Sequence, residues 1–294
     1  MPQIYTPLTR VADVIGDSVF DGAGRLLFPT TFGPPDPNMM LQNLDRWLPF
    51  HNDIRTDTTI EVLDELRTRA VAGETVFYPI YTEAECLQEP ALRDTGVFFF
   101  RGRPGAPFAI VNAGGGFYYV GAIHESFPHA LALSRKGYNA FALIYRPDSA
   151  CAACTDLARA VSWIIRHAGE LQVDPAGYSL WGGSAGARMA AWVGGYGVAA
   201  FGGDALPKPA AVVMQYTGLS EYGRDDPPTY ACVGTADGIA PWRVMKGRIN
   251  GMAALGIPTE FHLYPGLPQA FRLGIGTRAE GWLDEAADFW RRQR

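Results

Sequence analysis

The most informative part of the sequence for the fold is Tyr178-Ser179-Leu180-Trp181-Gly182-Gly183-Ser184-Ala185-Gly186. Its first four residues predict a strand, Tyr178–Trp181, and the residues after the serine predict a helix, Ala185–Tyr196. Between them lies a G-x-S-x-G motif, which in a strand–turn–helix context is typical of a nucleophile elbow. Small neighbours let such a strained turn pack on the sheet while the hydroxyl of Ser184 projects from its top. The alternative is a glycine-rich turn with an incidental serine.

A second glycine-rich stretch, Asn112-Ala113-Gly114-Gly115-Gly116-Phe117, follows the predicted strand Phe108–Asn112. Consecutive glycines expose backbone N–H groups that no side chain covers. Together with the N–H of Ala185, such donors can bind the oxyanion of a tetrahedral intermediate, so we name residues 112–117 the oxyanion loop after this expected role. A flexible loop without a chemical role is the alternative interpretation.

Strands alternate with helices from about residue 75 onward. The strand candidates are Val76–Tyr81, Val97–Arg101, Phe108–Asn112, Ala140–Tyr145, Tyr178–Trp181, Ala211–Gln215, Tyr230–Val233 and Thr259–Tyr264. The helix candidates are Glu125–Lys136, Thr155–His167, Ala185–Tyr196, Pro241–Leu255 and Thr277–Arg292. This alternation predicts one α/β core over residues 76–294, with a mostly parallel sheet and helices on both faces. The second and third strands have no helix pattern between them, so we expect them to pair as an antiparallel hairpin.

With these two motifs, residues 75–294 resemble the α/β-hydrolase esterases, in particular the group similar to hormone-sensitive lipase and bacterial acetyl esterases. That group carries H-G-G-G before its G-x-S-x-G elbow, whereas this chain has Ala113 in place of the first His. The resemblance implies an α/β-hydrolase fold and hydrolysis of carboxylic esters through a Ser184 acyl-enzyme. It also implies that Gly114, Gly115 and Ala185 donate the oxyanion hydrogen bonds.

The catalytic acid is expected after the nucleophile, since the order in this fold is Ser…Asp/Glu…His. The run Ala231-Cys232-Val233-Gly234-Thr235-Ala236-Asp237 indicates a strand and a short turn that ends in Asp. The resemblance places the family's acid on Asp237. A solvated turn or a helix cap is the other explanation of this residue, and Asp225 and Asp226 lie in a Pro-rich loop before the strand.

The general base is missing from its expected place. Only one histidine, His262, follows Asp237, and it lies inside the predicted strand Thr259–Tyr264, away from the strand's C-terminal end. The resemblance places the family's His in the next loop, Tyr264-Pro265-Gly266-Leu267-Pro268-Gln269-Ala270-Phe271, where Gln269 stands instead. An amide cannot accept a proton at useful pH. The chain is therefore either an esterase impaired at the base position or a catalytically silent ligand-binding protein on a hydrolase scaffold, as in the plant gibberellin receptors.

The other histidines fit other roles. His124 is expected at the mouth of the site, either as a pocket residue, as a substitute base or in plain packing. His51 falls in the N-terminal region, His129 follows the oxyanion loop, and His167 ends a helix, where a cation suits the helix dipole.

Residues 1–75 read as a broken helical segment, with candidates at Leu8–Ile15, Met39–Trp47 and Thr58–Ala72. We interpret this segment as an N-terminal cap or lid over the core. Gly116, Phe117, Tyr118 and His124 are expected to line the substrate pocket, with Trp47 and Phe50 above them. An aromatic wall of this kind favours small acyl or aryl esters.

Composition excludes several other functions. The 294 residues are 48% hydrophobic and carry a net charge of −5, which argues against a disordered chain, a nucleic-acid binder and a polybasic membrane anchor. No apolar run could span a membrane and no signal peptide is evident, so we expect a cytoplasmic protein whose partner is a small-molecule ester. The pair Cys151 and Cys154 forms a CxxC without further ligands, so structural thiols are favoured over a redox or half-zinc motif. No metal or nucleotide cofactor is expected.

Overall fold

A single sheet of eight strands organises the molecule. The computed structural model describes residues 4–48 and 54–294, so the expectations for Phe50 and His51 lie outside the described residues. The strand order is β1-β2-β4-β3-β5-β6-β7-β8. The bounds are β1 Phe77–Pro79, β2 Gly96–Phe100, β3 Pro107–Asn112, β4 Asn139–Ile144, β5 Asp174–Gly183, β6 Ala211–Gln215, β7 Thr229–Gly234 and β8 Thr259–Tyr264.

The sheet is parallel from β4 through β3 to β8, and only β1–β2 and β2–β4 pair antiparallel. Every residue of β2, β3, β4, β6 and β7 is buried. Continuous apolar runs without alternation are typical of strands covered on both faces. The prediction of an α/β fold with a mostly parallel sheet is therefore confirmed.

The predicted hairpin between the second and third strands is wrong. Both edges of β3 are occupied, because Ile110 pairs with Phe141 of β4 on one side and with Leu180 of β5 on the other. β2 instead lies antiparallel on the outer edge of β4, where Phe98 pairs with Ala142. Short connections favour hairpins, but here both edges of β3 take parallel partners from later in the chain.

Nine α-helices accompany the strands in the described residues. They are α1 Val11–Ile15, α2 Thr56–Val71, α3 Glu83–Gln88, α4 Ser126–Arg135, α5 Ala150–Arg166, α6 Ala168–Leu171, α7 Ala185–Tyr196, α8 Trp242–Ala254 and α9 Trp282–Arg292. The helices α4 and α9 contact one another, and so do α5 and α7. Among the described residues, no helix is both long and apolar enough to cross a membrane.

The N-terminal segment is less helical than the sequence indicates. Within Met39–Trp47 the structure has a 3₁₀ helix, Leu41–Arg46, and only α2 is long. Ile60, Leu63 and Leu66 of α2 are buried, and the helix packs against α4 and the 3₁₀ turn Ala122–His124. These side chains belong to the same hydrophobic core as the strands. The role of the segment as a cap stays a prediction.

Candidate active site

Ser184 occupies the sharp turn between β5 and α7. Its backbone angles, φ 52 and ψ −115, are strained for a residue with a side chain. Its N–H donates to the carbonyl of Gln215 at the end of β6, at 3.0 Å. The positions two residues before and after Ser184 have no room for a side chain. A Cβ on Gly182 would lie 2.2 Å from the carbonyl carbon of Gly186, and a Cβ on Gly186 would lie 2.1 Å from the carbonyl oxygen of Asn112. This geometry is the one that a nucleophile elbow requires.

Ser184, Gln269 and Asp237 form a hydrogen-bonded line. With the amide of Gln269 oriented to satisfy its partners, its oxygen accepts from Ser184 Oγ at 3.1 Å. The amide nitrogen donates to both carboxylate oxygens of Asp237, at 2.9 Å to Oδ1. Three residues far apart in sequence thus meet in the order serine, glutamine and aspartate.

Asp237 lies in the turn after β7, where its carboxylate is held by the backbone. Oδ1 accepts from the N–H of Ile239 at 2.8 Å and from that of Ala240 at 2.7 Å. Burial raises the pKa of this carboxyl above its usual value, and the two backbone donors partly counter that effect. The carboxylate is therefore oriented before any substrate binds.

The oxyanion loop follows β3 and turns sharply at its glycines. Gly115 has φ 138, and a Cβ there would lie 2.0 Å from the carbonyl oxygen of Tyr119. The carbonyl of Gly115 accepts from the N–H groups of Tyr118 and Tyr119. In the described part of the chain, no hydrogen bond takes the N–H of Gly115 or of Ala185. Both donors are therefore left for a ligand.

The N–H of Gly114 is engaged by a side chain that the sequence analysis did not single out. It donates to Oε2 of Glu125, a carboxyl that is only 1% exposed. Oε1 of Glu125 accepts from the hydroxyl of Tyr216 at 2.7 Å. Burial raises the pKa of Glu125 above its usual value. A short polar stretch, residues 124–126, between the apolar residues Ile123 and Phe127 is the sequence signal that could have indicated it.

A cleft of about 330 Å³ opens above these groups. Its described lining comprises Gly114, Gly115, Gly116, Tyr118, Tyr119, Glu125, Ser184, Tyr216, Ile239, Gln269 and Ala270. Tyr118 is 80% exposed and Ile239 is 66% exposed, so both present apolar surface to incoming ligand. The described N-terminal residues do not line this cleft, but the ring of Phe32 lies 4.9 Å from that of Tyr119.

Two residues expected in the pocket lie elsewhere. His124 is buried beside a separate small cavity that Arg55, Pro128 and Arg272 also line. Phe117 stacks on Trp192 of α7, with ring centroids 6.5 Å apart. Neither is among the described residues that line the cleft at Ser184.

His262 lies on β8, among acidic side chains. Its ring nitrogens are 3.4 Å from Glu260 and 3.3 Å from Glu285, and its ring stacks on Tyr230 at 4.7 Å. His129 is buried in α4, where its ring meets that of Trp282 edge-on at 5.3 Å. Neither ring lies in the cleft that holds Ser184.

The four cysteines are all unbridged. Cys151 is exposed and Cys154 is buried near the start of α5. Over residues 4–48 and 54–294, no group of three or more acidic, His or Cys side chains could hold a metal ion.

Comparison with known proteins relates the fold to hydrolases. The family model BD-FAE matches residues 102–205, less than half of the chain. No curated protein shows significant sequence similarity to this chain. The solved structures that are similar to this chain are about 20% identical to it. At that identity, structural similarity establishes the fold alone, and that fold is the α/β-hydrolase fold.

Three solved structures illustrate the likeness. An acetyl ester-xyloside bifunctional hydrolase from Caldicellulosiruptor lactoaceticus is 20% identical, with TM-score 0.65 over 74% of this chain and 95% of that one. A propionate-bound thermophilic esterase from Thermogutta terrifontis is 20% identical, with TM-score 0.58 over 66% and 88% of the two chains. An α/β hydrolase from a Medee basin deep-sea metagenome library is 20% identical, with TM-score 0.58 over 68% and 92%.

Proposed function

We propose that this chain is a serine hydrolase scaffold for carboxylic ester hydrolysis, impaired at the position of its general base. The observation that carries the proposal is the hydrogen-bonded line Ser184–Gln269–Asp237 beside the unengaged N–H groups of Gly115 and Ala185. A nucleophile, an orienting acid and oxyanion donors are the parts that acyl transfer needs. The resemblance to acetyl esterases and the partial BD-FAE match favour an ester over other acyl substrates.

The mechanism follows from these positions. Ser184 attacks the ester carbonyl and loses its hydroxyl proton to water, because Gln269 cannot accept it. The oxyanion of the intermediate accepts hydrogen bonds from the N–H groups of Gly115 and Ala185. The resemblance also implied the N–H of Gly114 as an oxyanion donor. In the structure this N–H instead donates to the carboxylate of Glu125. Collapse of the intermediate breaks the bond to the alcohol oxygen, which takes a proton from water, and leaves an acyl-enzyme. Attack of a second water then releases the acid and restores the hydroxyl of Ser184. Gln269 holds the line between Ser184 and Asp237 but cannot take the serine proton, so turnover is slow.

The cleft favours esters of small acids or of aryl alcohols. A volume of about 330 Å³ is at the small end for ligand pockets, and its floor is made of glycine and aromatic residues. Tyr118 and Ile239 at the rim offer apolar surface to a leaving group. The related Thermogutta esterase has propionate bound, which fits a short acyl group.

Restoring the base tests the proposal. Gln269→His is expected to raise hydrolysis of p-nitrophenyl acetate by at least ~10²-fold, because the loss of a triad member costs on the order of 10⁴–10⁶ in rate. The rate should follow a titration near neutrality, as expected for a histidine base. Ser184→Ala in the same background is the control and should abolish the gain.

A ligand-binding protein on the same scaffold is the second candidate. One observation favours it. The amide of Gln269 forms hydrogen bonds with both Ser184 and Asp237, but it is not a base that could take the serine proton. If Gln269→His folds, places its imidazole within ~3.2 Å of Ser184 and gains no activity, the binding function replaces the esterase. Mass spectrometry of the chain after p-nitrophenyl acetate treatment separates the two, since only the esterase acquires an acetyl group on Ser184.

A further inference from the structure

One buried carboxyl touches all three chain segments that build the site. Glu125 accepts from the N–H of Gly114 in the oxyanion loop and from the hydroxyl of Tyr216, the residue that follows β6. It also contacts the elbow, because a Cβ on Gly183 would lie 2.7 Å from Oε1 of Glu125 and 2.8 Å from a ring carbon of Tyr216. The loop after β3, the elbow after β5 and the end of β6 thus converge on one side chain.

Burying a carboxyl group destabilises a folded protein unless other contacts compensate for the lost hydration. Desolvation disfavours its charged form, and an apolar side chain of similar volume would pack at lower cost. Both of its oxygens meet donors from the site itself, so its contacts there compensate for the burial. Without Glu125, the N–H of Gly114 would be left buried and unpaired.

The hydrogen bonds of the loop show what this contact achieves. The carbonyl of Gly114 accepts from the N–H of Gly121 at 3.0 Å, and the carbonyl of Ala113 accepts from the hydroxyl of Tyr145 at 2.8 Å. With the N–H of Gly114 held by Glu125, the peptide groups on both sides of Gly114 are fixed. The next N–H, that of Gly115, is then fixed in orientation without being consumed.

We propose that Glu125 is a positioning residue that fixes the oxyanion loop to the nucleophile elbow. It does so from outside the loop, since Ala113 has no side chain that could brace the glycines. The role rests on the proposed function, because positioning matters for catalysis only where Ser184 transfers an acyl group. The contact itself, however, is independent of catalysis and can be measured separately.

The kinetic experiment uses the Gln269→His background and a volume-matched pair of substitutions. Glu125→Met fills the same space but accepts no hydrogen bond, so kcat for p-nitrophenyl acetate should fall ~10²-fold, the usual effect of losing an oxyanion donor, with KM within about 3-fold. Glu125→Gln keeps one acceptor oxygen for Gly114 and should recover most of that loss. A Met variant that keeps kcat, or a fall in the Gln variant equal to that of the Met variant, overturns the proposal.

The second readout does not need activity. In the unsubstituted background, Glu125→Met should speed amide hydrogen exchange of the segment 114–116 by at least ~10-fold, and Glu125→Gln should change it much less. If Gln269→His is inactive but the exchange rates differ in this way, the proposed esterase function is wrong and the positioning role of Glu125 is supported. If the exchange rates do not differ, the positioning role of Glu125 is wrong even where Gln269→His is active.

A third variant covers the case in which Glu125→Met does not fold. Tyr216→Phe removes one oxygen and leaves Glu125 without its second donor. Exchange over 114–116 should then rise and kcat in the Gln269→His background should fall, both by about 3–10-fold. If both stay at the parent value, Glu125 does not position the loop.

Discussion

Neighbouring glycines in the oxyanion loop differ sharply in what they tolerate. Gly115 has φ 138 and no room for a Cβ beside the carbonyl of Tyr119, whereas Gly116 has φ 62 and nothing within 4 Å of a built Cβ. Gly115→Ala must therefore move the loop, while Gly116→Ala costs only the left-handed conformation, about 1–2 kcal/mol.

In the Gln269→His background, Gly115→Ala should lower kcat/KM for p-nitrophenyl acetate by ~10²-fold or more. Gly116→Ala should stay within about 10-fold of the parent, since only its backbone conformation is disfavoured. Steady-state kinetics on the two matched variants checks this. Equal losses in both would mean that the N–H of Gly115 has no special part in the reaction.

Among single residues, the sequence predicted the site side chains that lie in a recognisable motif and missed those that do not. Ser184, Asp237 and Gln269 each follow a strand in a recognisable turn, and the structure brings the three together. Glu125 and Tyr216 meet across 91 positions of the sequence. Nothing local to either residue indicates such a contact, so only the folded chain reveals it.

At the scale of elements, the N-terminal helix α2 is part of the core. Leu63 is fully buried, whereas Val71, near the end of the same helix, is 62% exposed. Leu63→Ala should destabilise the whole protein by about 2–5 kcal/mol, and Val71→Ala should stay within about 0.5 kcal/mol.

Urea unfolding followed by fluorescence measures both variants. A single transition, shifted for Leu63→Ala alone, is the expected result because α2 shares its core with the strands. An early, separate transition for Leu63→Ala would instead identify the N-terminal segment as an independently detachable layer.

Element types were predictable where glycine or proline lies close to the ends of a segment. Ala211–Gln215, Thr259–Tyr264 and Ala185–Tyr196 have in the structure the bounds that the sequence predicted. Strand neighbours were not predictable in the same way. β2 and β3 are adjacent in sequence, yet β4 separates them, because pairing is decided by which buried edges remain to be filled.

For the whole molecule, the stability towards acid should depend on a buried histidine. Burial lowers the pKa of His129 to about 3. Below pH ~6.5 the unfolded chain binds a proton at this residue that the folded chain does not, so stability falls as pH falls, by about 1.4 kcal/mol per pH unit. Glu125, whose pKa is raised, acts in the opposite direction.

A comparison with His129→Phe isolates this contribution. The ring of the variant can still meet Trp282 edge-on, but it does not titrate. Between pH 6 and pH 4.5, the unfolding free energy of the parent should fall by about 2 kcal/mol relative to the variant. Urea titrations at several pH values measure this difference, and parallel curves would show that His129 titrates normally in the folded protein.

The strand order also has a consequence during synthesis on the ribosome. β3 is translated before both of its neighbours, β4 and β5, and β2 is translated before its inner neighbour β4. At about 5–20 residues per second, these apolar strands wait for seconds with at least one edge unpaired. Unpaired apolar edges are templates for aggregation. We therefore expect the nascent chain to be more prone to aggregation than the folded protein.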